Sequence, residues 1–129
     1  MTTKTLGLVA LLVPDYDVAI RFFRDVMGFA LEQDEDQGRG KRWVVMRPSG
    51  GGTGLLLARA VSAEQSAAIG NQAGGRVGFI LNTDDFAADH ARMVAAGVSF
   101  EEEPRQEAYG TVAVFRDLFG NRWDLLELQ

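Results

Sequence analysis

The sequence predicts an α+β fold built from two copies of one βαβββ module. Short apolar runs typical of strands alternate with one stretch of helical spacing in each half of the chain. The same order of elements occurs twice along the 129 residues. Equivalent residues of the two halves lie 68 or 69 positions apart, as Asp17 and Asp85 do at 68 and Gly28 and Gly97 do at 69.

The first module spans residues 5–60 and begins with the apolar run 8–13, which predicts a buried strand that Pro14 ends. Apolar residues at helical spacing then predict a helix that Asp15 caps and Gly28 ends. Glycine-rich turns separate the three strands that complete the module, at residues 29–36, 42–47 and 54–59.

The linker, residues 61–75, contains a predicted short helix in which Ser62 and Gln65 fit a capping box. The second module, residues 76–128, opens with a strand and a helix that either Asp84 or Asp85 caps. Its remaining strands are predicted at residues 98–101, 111–116 and 122–128, with a polar loop at 102–110. We expect the two modules to form one domain, residues 1–129.

The composition describes a soluble globular chain, with 47% hydrophobic and 24% charged residues. The formal charge of −5 argues against a nucleic-acid partner, because phosphate binding needs a surplus of Lys and Arg. The absence of cysteine excludes disulfides, zinc–thiolate sites and cysteine nucleophiles. Since no apolar run is long enough for a membrane span, we expect a cytoplasmic protein without a membrane partner.

Three stretches resemble one known family: LVALLVPD at residues 8–15, FFRDVMGF at 22–29 and FRDLFGNRWDL at 115–125. The family is the vicinal oxygen chelate superfamily, also called the glyoxalase, bleomycin-resistance and extradiol-dioxygenase group. This resemblance implies mixed sheets curled around a concave cavity, helices on the outside and a homodimer. It does not identify the function, because the fold serves lyases, epimerases, dioxygenases and binding proteins.

Metal-dependent members of that family hold a divalent ion at four inward positions. Carried over to this chain, these positions fall on Leu8, Leu55 or Leu56, Arg76 and Asp124. Only the aspartate can bind a cation, because leucine has no lone pair and arginine is permanently charged. The sequence therefore predicts that the usual metal is absent and that the protein has no cofactor.

The resemblance places Arg76 and Asp124 on neighbouring strands, and we expect an ion pair between them. That pair either fills the former ligand positions structurally or orients a polar ligand such as a carboxylate or phosphate.

Apolar ligand contacts are predicted from four residues: Leu8, Leu56, Phe115 and Tyr109. Tyr109 lies in a loop that would cover the cavity mouth, although aromatic residues also fill ordinary cores.

Other residues that suggest chemistry are interpreted as structural. His90 lies on the apolar face of its helix, which in this family packs away from the cavity. Strand alternation places Trp123 and Glu127 on the face opposite to Asp124. The segment 48–52 is glycine-rich but lacks the Lys-Ser or Lys-Thr of a phosphate loop, so we interpret it as a hairpin turn.

These observations favour a metal-independent small-molecule binding protein whose ligand is anionic or aromatic. One alternative is a glyoxalase-like lyase or dioxygenase-type enzyme with a non-standard site. Another is a protein-interaction module whose cavity has closed.

Overall fold

The computed structural model describes every residue from Met1 to Gln129. It contains two compact units, Met1–Ala67 and Ala68–Gln129. Each unit holds one mixed sheet with the βαβββ order, to which the second unit adds one short strand, and the predicted α+β fold is thereby confirmed. No helix combines the length and the hydropathy that crossing a bilayer requires.

The first unit is built on a four-stranded sheet with the order β1-β4-β3-β2. Its strands are β1 (Leu8–Val13), β2 (Ala30–Asp36), β3 (Arg42–Arg47) and β4 (Gly54–Arg59). β1 and β4 are parallel, and the other neighbours are antiparallel. The parallel pair requires a crossover, which the helical segment between β1 and β2 supplies.

The helix of the first unit differs from the continuous helix that the spacing predicts. Asp15 caps α1 (Tyr16–Arg21) as expected, since its carboxylate accepts a hydrogen bond from the Val18 amide at 2.9 Å. A π-helical turn, Phe22–Val26, then completes the segment. This turn buries Phe22 and Phe23, whose rings meet edge to face with their centroids 5.2 Å apart. In a regular α-helix, two consecutive side chains would point about 100° apart.

The segment between the modules contains α2 (Ala63–Ala68). Its capping box is present, because the Ser62 hydroxyl accepts from the Gln65 amide at 3.1 Å. The Gln65 side chain reaches one residue further back than in the usual pattern and accepts from the Val61 amide at 2.8 Å.

The second unit carries a five-stranded sheet with the order β5-β9-β8-β6, and β7 also pairs with β8. Its elements are β5 (Val77–Asn82), α3 (Phe86–Ala95), β6 (Ser99–Phe100), β7 (Arg105–Glu107), β8 (Gly110–Arg116) and β9 (Arg122–Leu128). Asp85 is the residue that caps α3, accepting from the Ala88 amide at 3.1 Å. β7 lies inside the segment 102–110, which was predicted to be a polar loop, and it is the one strand that the sequence did not predict.

The core of the second unit lies between its sheet and α3. A chain of aromatic contacts crosses it, with ring centroids of Phe79 and Trp123 at 4.5 Å and of Phe115 and Trp123 at 5.8 Å. His90 is half-buried in the same core, 4.4 Å from the ring of Phe100. These residues therefore define the face of the second sheet that α3 covers.

Candidate functional site

The opposite face of the second sheet carries no helix. Ile80, Asp124 and Val114 lie directly across from one another on β5, β9 and β8, and we call the surface that they form the open face. Ile80 is 62% exposed, which is unusual for so large an apolar side chain in the middle of a strand. The open face therefore presents the exposed side chain of Ile80 beside a single carboxylate, while Val114 on the other side is buried.

The carboxylate of Asp124 is half-buried and forms no hydrogen bond or ion pair within the chain. Burial raises the pKa of this carboxyl group above its usual range, while Arg105 and Arg122 act at longer range to lower it. A carboxylate that is desolvated without a partner lowers the stability of the folded chain. Such groups are frequent where a ligand supplies the missing partner.

Arg105 on β7 is the site residue that the sequence analysis missed. Its guanidinium donates to Glu102 at 2.9 Å and to Glu107 at 2.8 Å, and these two hydrogen bonds raise its pKa. Glu102 is fixed in turn, because it also accepts from the Val114 amide at 2.9 Å. The one signal in the sequence was a lone arginine among acidic residues in a segment expected to be a loop.

The predicted ion pair between Arg76 and Asp124 is wrong. β5 and β9 are neighbours as expected, but Val77 lies opposite Arg122 and Ile80 lies opposite Asp124, with a bulge between. Arg76 is consequently about 10 Å along the ladder from the aspartate, at ~3.3 Å per residue. It lies instead at a corner of the second unit, so the structure does not bring these two predicted site residues together.

The predicted apolar residues of the first unit share one sheet face. Leu8 lies opposite Gly54, and Leu56 lies opposite Ala10, which places both leucines on the same side of their strands. Both are half-buried. Leu56 has the same parity as Leu8, and Leu55 has the opposite parity.

Phe115 does not lie on the open face. It is fully buried and lies opposite Trp123, so alternation along β8 turns it toward α3. The expectation that Phe115 and Asp124 share a wall is therefore wrong. Glu127 follows its prediction, since it faces α3 and accepts from the Phe86 amide at 2.6 Å. Tyr109 is 49% exposed beside Arg105, at the edge of the sheet.

Comparison with known proteins identifies the family. Residues 5–125 match the model of the Glyoxalase/Bleomycin resistance protein/Dioxygenase superfamily. The chain belongs to this superfamily. A relative in Shewanella frigidimarina (strain NCIMB 400), an uncharacterized protein, is 54% identical over 122 residues, which cover 93% of this chain and 90% of the relative.

Two solved structures show the same superfamily fold over nearly the whole chain. TnmS3, an antibiotic binding protein from Streptomyces sp. CB03234, is 29% identical with a TM-score of 0.81, covering 100% of this chain and 99% of its own. A glyoxalase/bleomycin resistance protein from the same Streptomyces is 30% identical with a TM-score of 0.73, covering 95% and 99%. The likeness therefore includes a protein described as binding an antibiotic.

The residues present do not fit the metal that other superfamily members hold. Leu8 and Leu56 offer only carbon atoms, and the charges nearest to Asp124 that oppose its own are those of arginines. No group of three or more His, Asp or Glu side chains lies close enough together to hold a metal ion.

Proposed function

We propose that this protein binds a small aromatic or anionic molecule without a metal and without chemical conversion. The observation that carries the proposal is the unpartnered, half-buried carboxylate of Asp124 within the apolar open face. Membership of the superfamily and the likeness to an antibiotic-binding protein support it. We further propose that the protein acts in the cytoplasm as a homodimer.

The open face favours the aromatic ligand among these possibilities. Ile80 supplies exposed apolar surface on one side of Asp124, which suits the face of a flat hydrocarbon body, whereas Val114 on the other side is buried. The carboxylate suits a ligand amine, amidinium or hydroxyl that donates a hydrogen bond. Arg105 is already engaged by two glutamates, so it offers a ligand little free positive charge.

A pair of fluorescent probes tests this proposal on chelator-treated protein. 9-Aminoacridine is an aromatic cation, and 1-anilinonaphthalene-8-sulfonate is an aromatic anion of similar size. We expect saturable binding of 9-aminoacridine that added Zn²⁺, Ni²⁺ or Mn²⁺ leaves unchanged. Asp124→Asn should weaken this binding about tenfold, the usual worth of a charge-assisted hydrogen bond, and should not weaken binding of the anion.

Asp84→Asn is the matched control, because Asp84 is an exposed carboxylate of the same unit that lies off the open face. Equal losses in the two variants would contradict a role for Asp124. A requirement for a divalent ion, or consumption of a probe over time, would instead favour the enzyme alternative.

A further inference from the structure

One corner of the second unit holds a cavity of about 140 Å³ to which Asp124 does not contribute. The segment that precedes β5 forms one wall, and the turn between β8 and β9 forms the other. The lining residues that matter here are Gly70, Gly75, Arg76, Arg116, Gly120 and Arg122. Three of these six residues are arginines, in a chain whose formal charge is −5.

Two of the arginines lie directly opposite each other, since Arg116 on β8 pairs with Arg122 on β9. Like charges in such a cross-strand pair are destabilising. Glu101 bridges them, with its carboxylate 3.1 Å from the Arg116 Nε and 2.8 Å from the Arg122 Nε. The hydrogen bond from Arg122 also holds the pKa of Glu101 below its usual range.

The third arginine, Arg76, is exposed and has no acidic partner. Of the three guanidinium groups at this corner, those of Arg116 and Arg122 share the carboxylate of Glu101, and that of Arg76 pairs with no carboxylate. In the glycine-rich segment 70–75, the amides of Asn71 and Gly74 already donate to backbone carbonyls, so the arginines supply the positive character of the site.

The walls of the cavity are held in place before any ligand arrives. Asp117 is 5% exposed and accepts hydrogen bonds from the Phe119 and Asn121 amides and the Trp123 indole, at 2.9–3.0 Å. Gly70 packs so closely on the turn that a β-carbon there would stand 1.9 Å from the Phe119 carbonyl oxygen. A fixed arrangement of donors needs little reorganisation to bind an anion.

We infer that this corner binds a small oxyanion, a phosphate or phosphate monoester group, between Arg76 and the pair formed by Arg116 and Arg122. The cavity volume of about 140 Å³ suits one such group. Sites for drug-sized ligands are larger, roughly 300–1,000 Å³. This site is separate from the open face and does not rest on the proposed function.

Titration with inorganic phosphate at low ionic strength, followed through backbone amide NMR shifts, tests the inference. We expect saturable shifts in the amides of residues 70–78 that an equal concentration of chloride does not produce. Arg76→Ala should weaken the affinity about tenfold, and Arg76→Lys should weaken it less because the charge remains. Phenyl phosphate should compete for the same amides.

Arg92→Ala is the control, because Arg92 is an exposed arginine of the same unit that pairs with Asp89 on α3. Equal losses in the alanine variants of Arg76 and Arg92, or shifts outside residues 70–78 and 116–122, would overturn the site. Asp124→Asn should leave phosphate binding unchanged, and a loss there would overturn the separation from the open face. If 9-aminoacridine failed to bind, the proposed function would be contradicted, whereas a phosphate site shown by this titration would not.

Discussion

The hairpin turn before the last strand of each unit is held by the same kind of contact, but the residues around it differ in charge. We call this region the corner of each unit. In the first unit, Arg47 donates to the Gly52 carbonyl and pairs with Glu32, one contact being 3.1 Å. In the second unit, Arg116 donates to the Gly120 carbonyl at 3.1 Å and pairs with Glu101. The arginines are 69 positions apart, as are the glutamates, so the repeat has preserved an arginine that ties a hairpin turn to a glutamate.

The difference lies in the two strand starts beside this device. β4 begins at Gly54 and Gly7 precedes β1, whereas β9 begins at Arg122 and Arg76 precedes β5. The first corner therefore contains one arginine and one glutamate, whose charges cancel. The second corner contains two more arginines beside its own glutamate, Glu101. The same contact between an arginine and a glutamate therefore lies beside two further arginines in the second unit and beside glycines in the first.

The largest expected effect comes from the segment that closes the second corner. Gly70→Ala should lower the free energy of unfolding by about 2–4 kcal/mol, since the backbone φ is +75° and the new methyl group meets the Phe119 carbonyl. Gly74→Ala shares the positive φ, at +66°, but meets no atom within 4 Å, and should cost about 1 kcal/mol. Denaturant unfolding measures both, and equal effects would show that the close contact is unimportant.

Removing the carboxylate of Glu101 should affect stability and phosphate binding at the second corner. Glu101→Gln removes the carboxylate that Arg116 and Arg122 share, so we expect the melting temperature to fall by roughly 3–6 °C. Phosphate should bind this variant more tightly and restore part of the lost stability. Thermal melts with and without phosphate check the result, and unchanged phosphate affinity would contradict the anion site.

The sheet faces offer a further contrast, because Leu56 of the first unit corresponds to Asp124 of the second at an offset of 68. The pKa of Asp124 is raised in the folded chain, so its contribution to stability is present at low pH and lost as pH rises through that pKa. Asp124→Leu should therefore raise the melting temperature at pH 7 by roughly 2–4 °C and change it less near pH 4. A fall at pH 7 would show that the carboxylate has a stabilising partner.

The smallest effect should come from Glu32→Gln in the first corner. Arg47 lowers the pKa of Glu32, so the pair stabilises the fold at neutral pH and loses this effect as pH falls through the lowered pKa. We expect a smaller drop in melting temperature than Glu101→Gln causes, and none in acid. Melts from pH 7 down to about pH 3 test this, and a drop as large as that of Glu101→Gln would remove the contrast between the corners.

Much of the architecture could be predicted from local pattern. Pro14, Asp15 and Gly28 mark real boundaries of β1 and the helical segment, and β9 has the bounds that its apolar pattern predicts. These signals succeed because caps, strand parity and glycine stops act over a few residues. The π-helical turn at Phe22–Val26 was not predicted, because the apolar spacing of this segment also fits a regular α-helix.

The candidate site was predicted less completely. Parity along β9 correctly separated Asp124 from Trp123 and Glu127, because all three are on one strand. Relations between strands were harder to predict. The register of β5 against β9 separates Arg76 from Asp124, and the position of Phe115 depends on how β8 pairs with β9. Register is set by hydrogen bonds across the sheet, which local spacing does not specify.

Local pattern in the sequence is enough to identify the repeated βαβββ order and the single aspartate within the apolar strand β9. Which charges meet depends on the tertiary structure. It left Asp124 without a partner, joined Arg116 and Arg122 through Glu101, and set Arg76 beside them. The physical reason is that side-chain type and parity are properties of the chain, whereas the distance between charges depends on register, bulges and turns between strands.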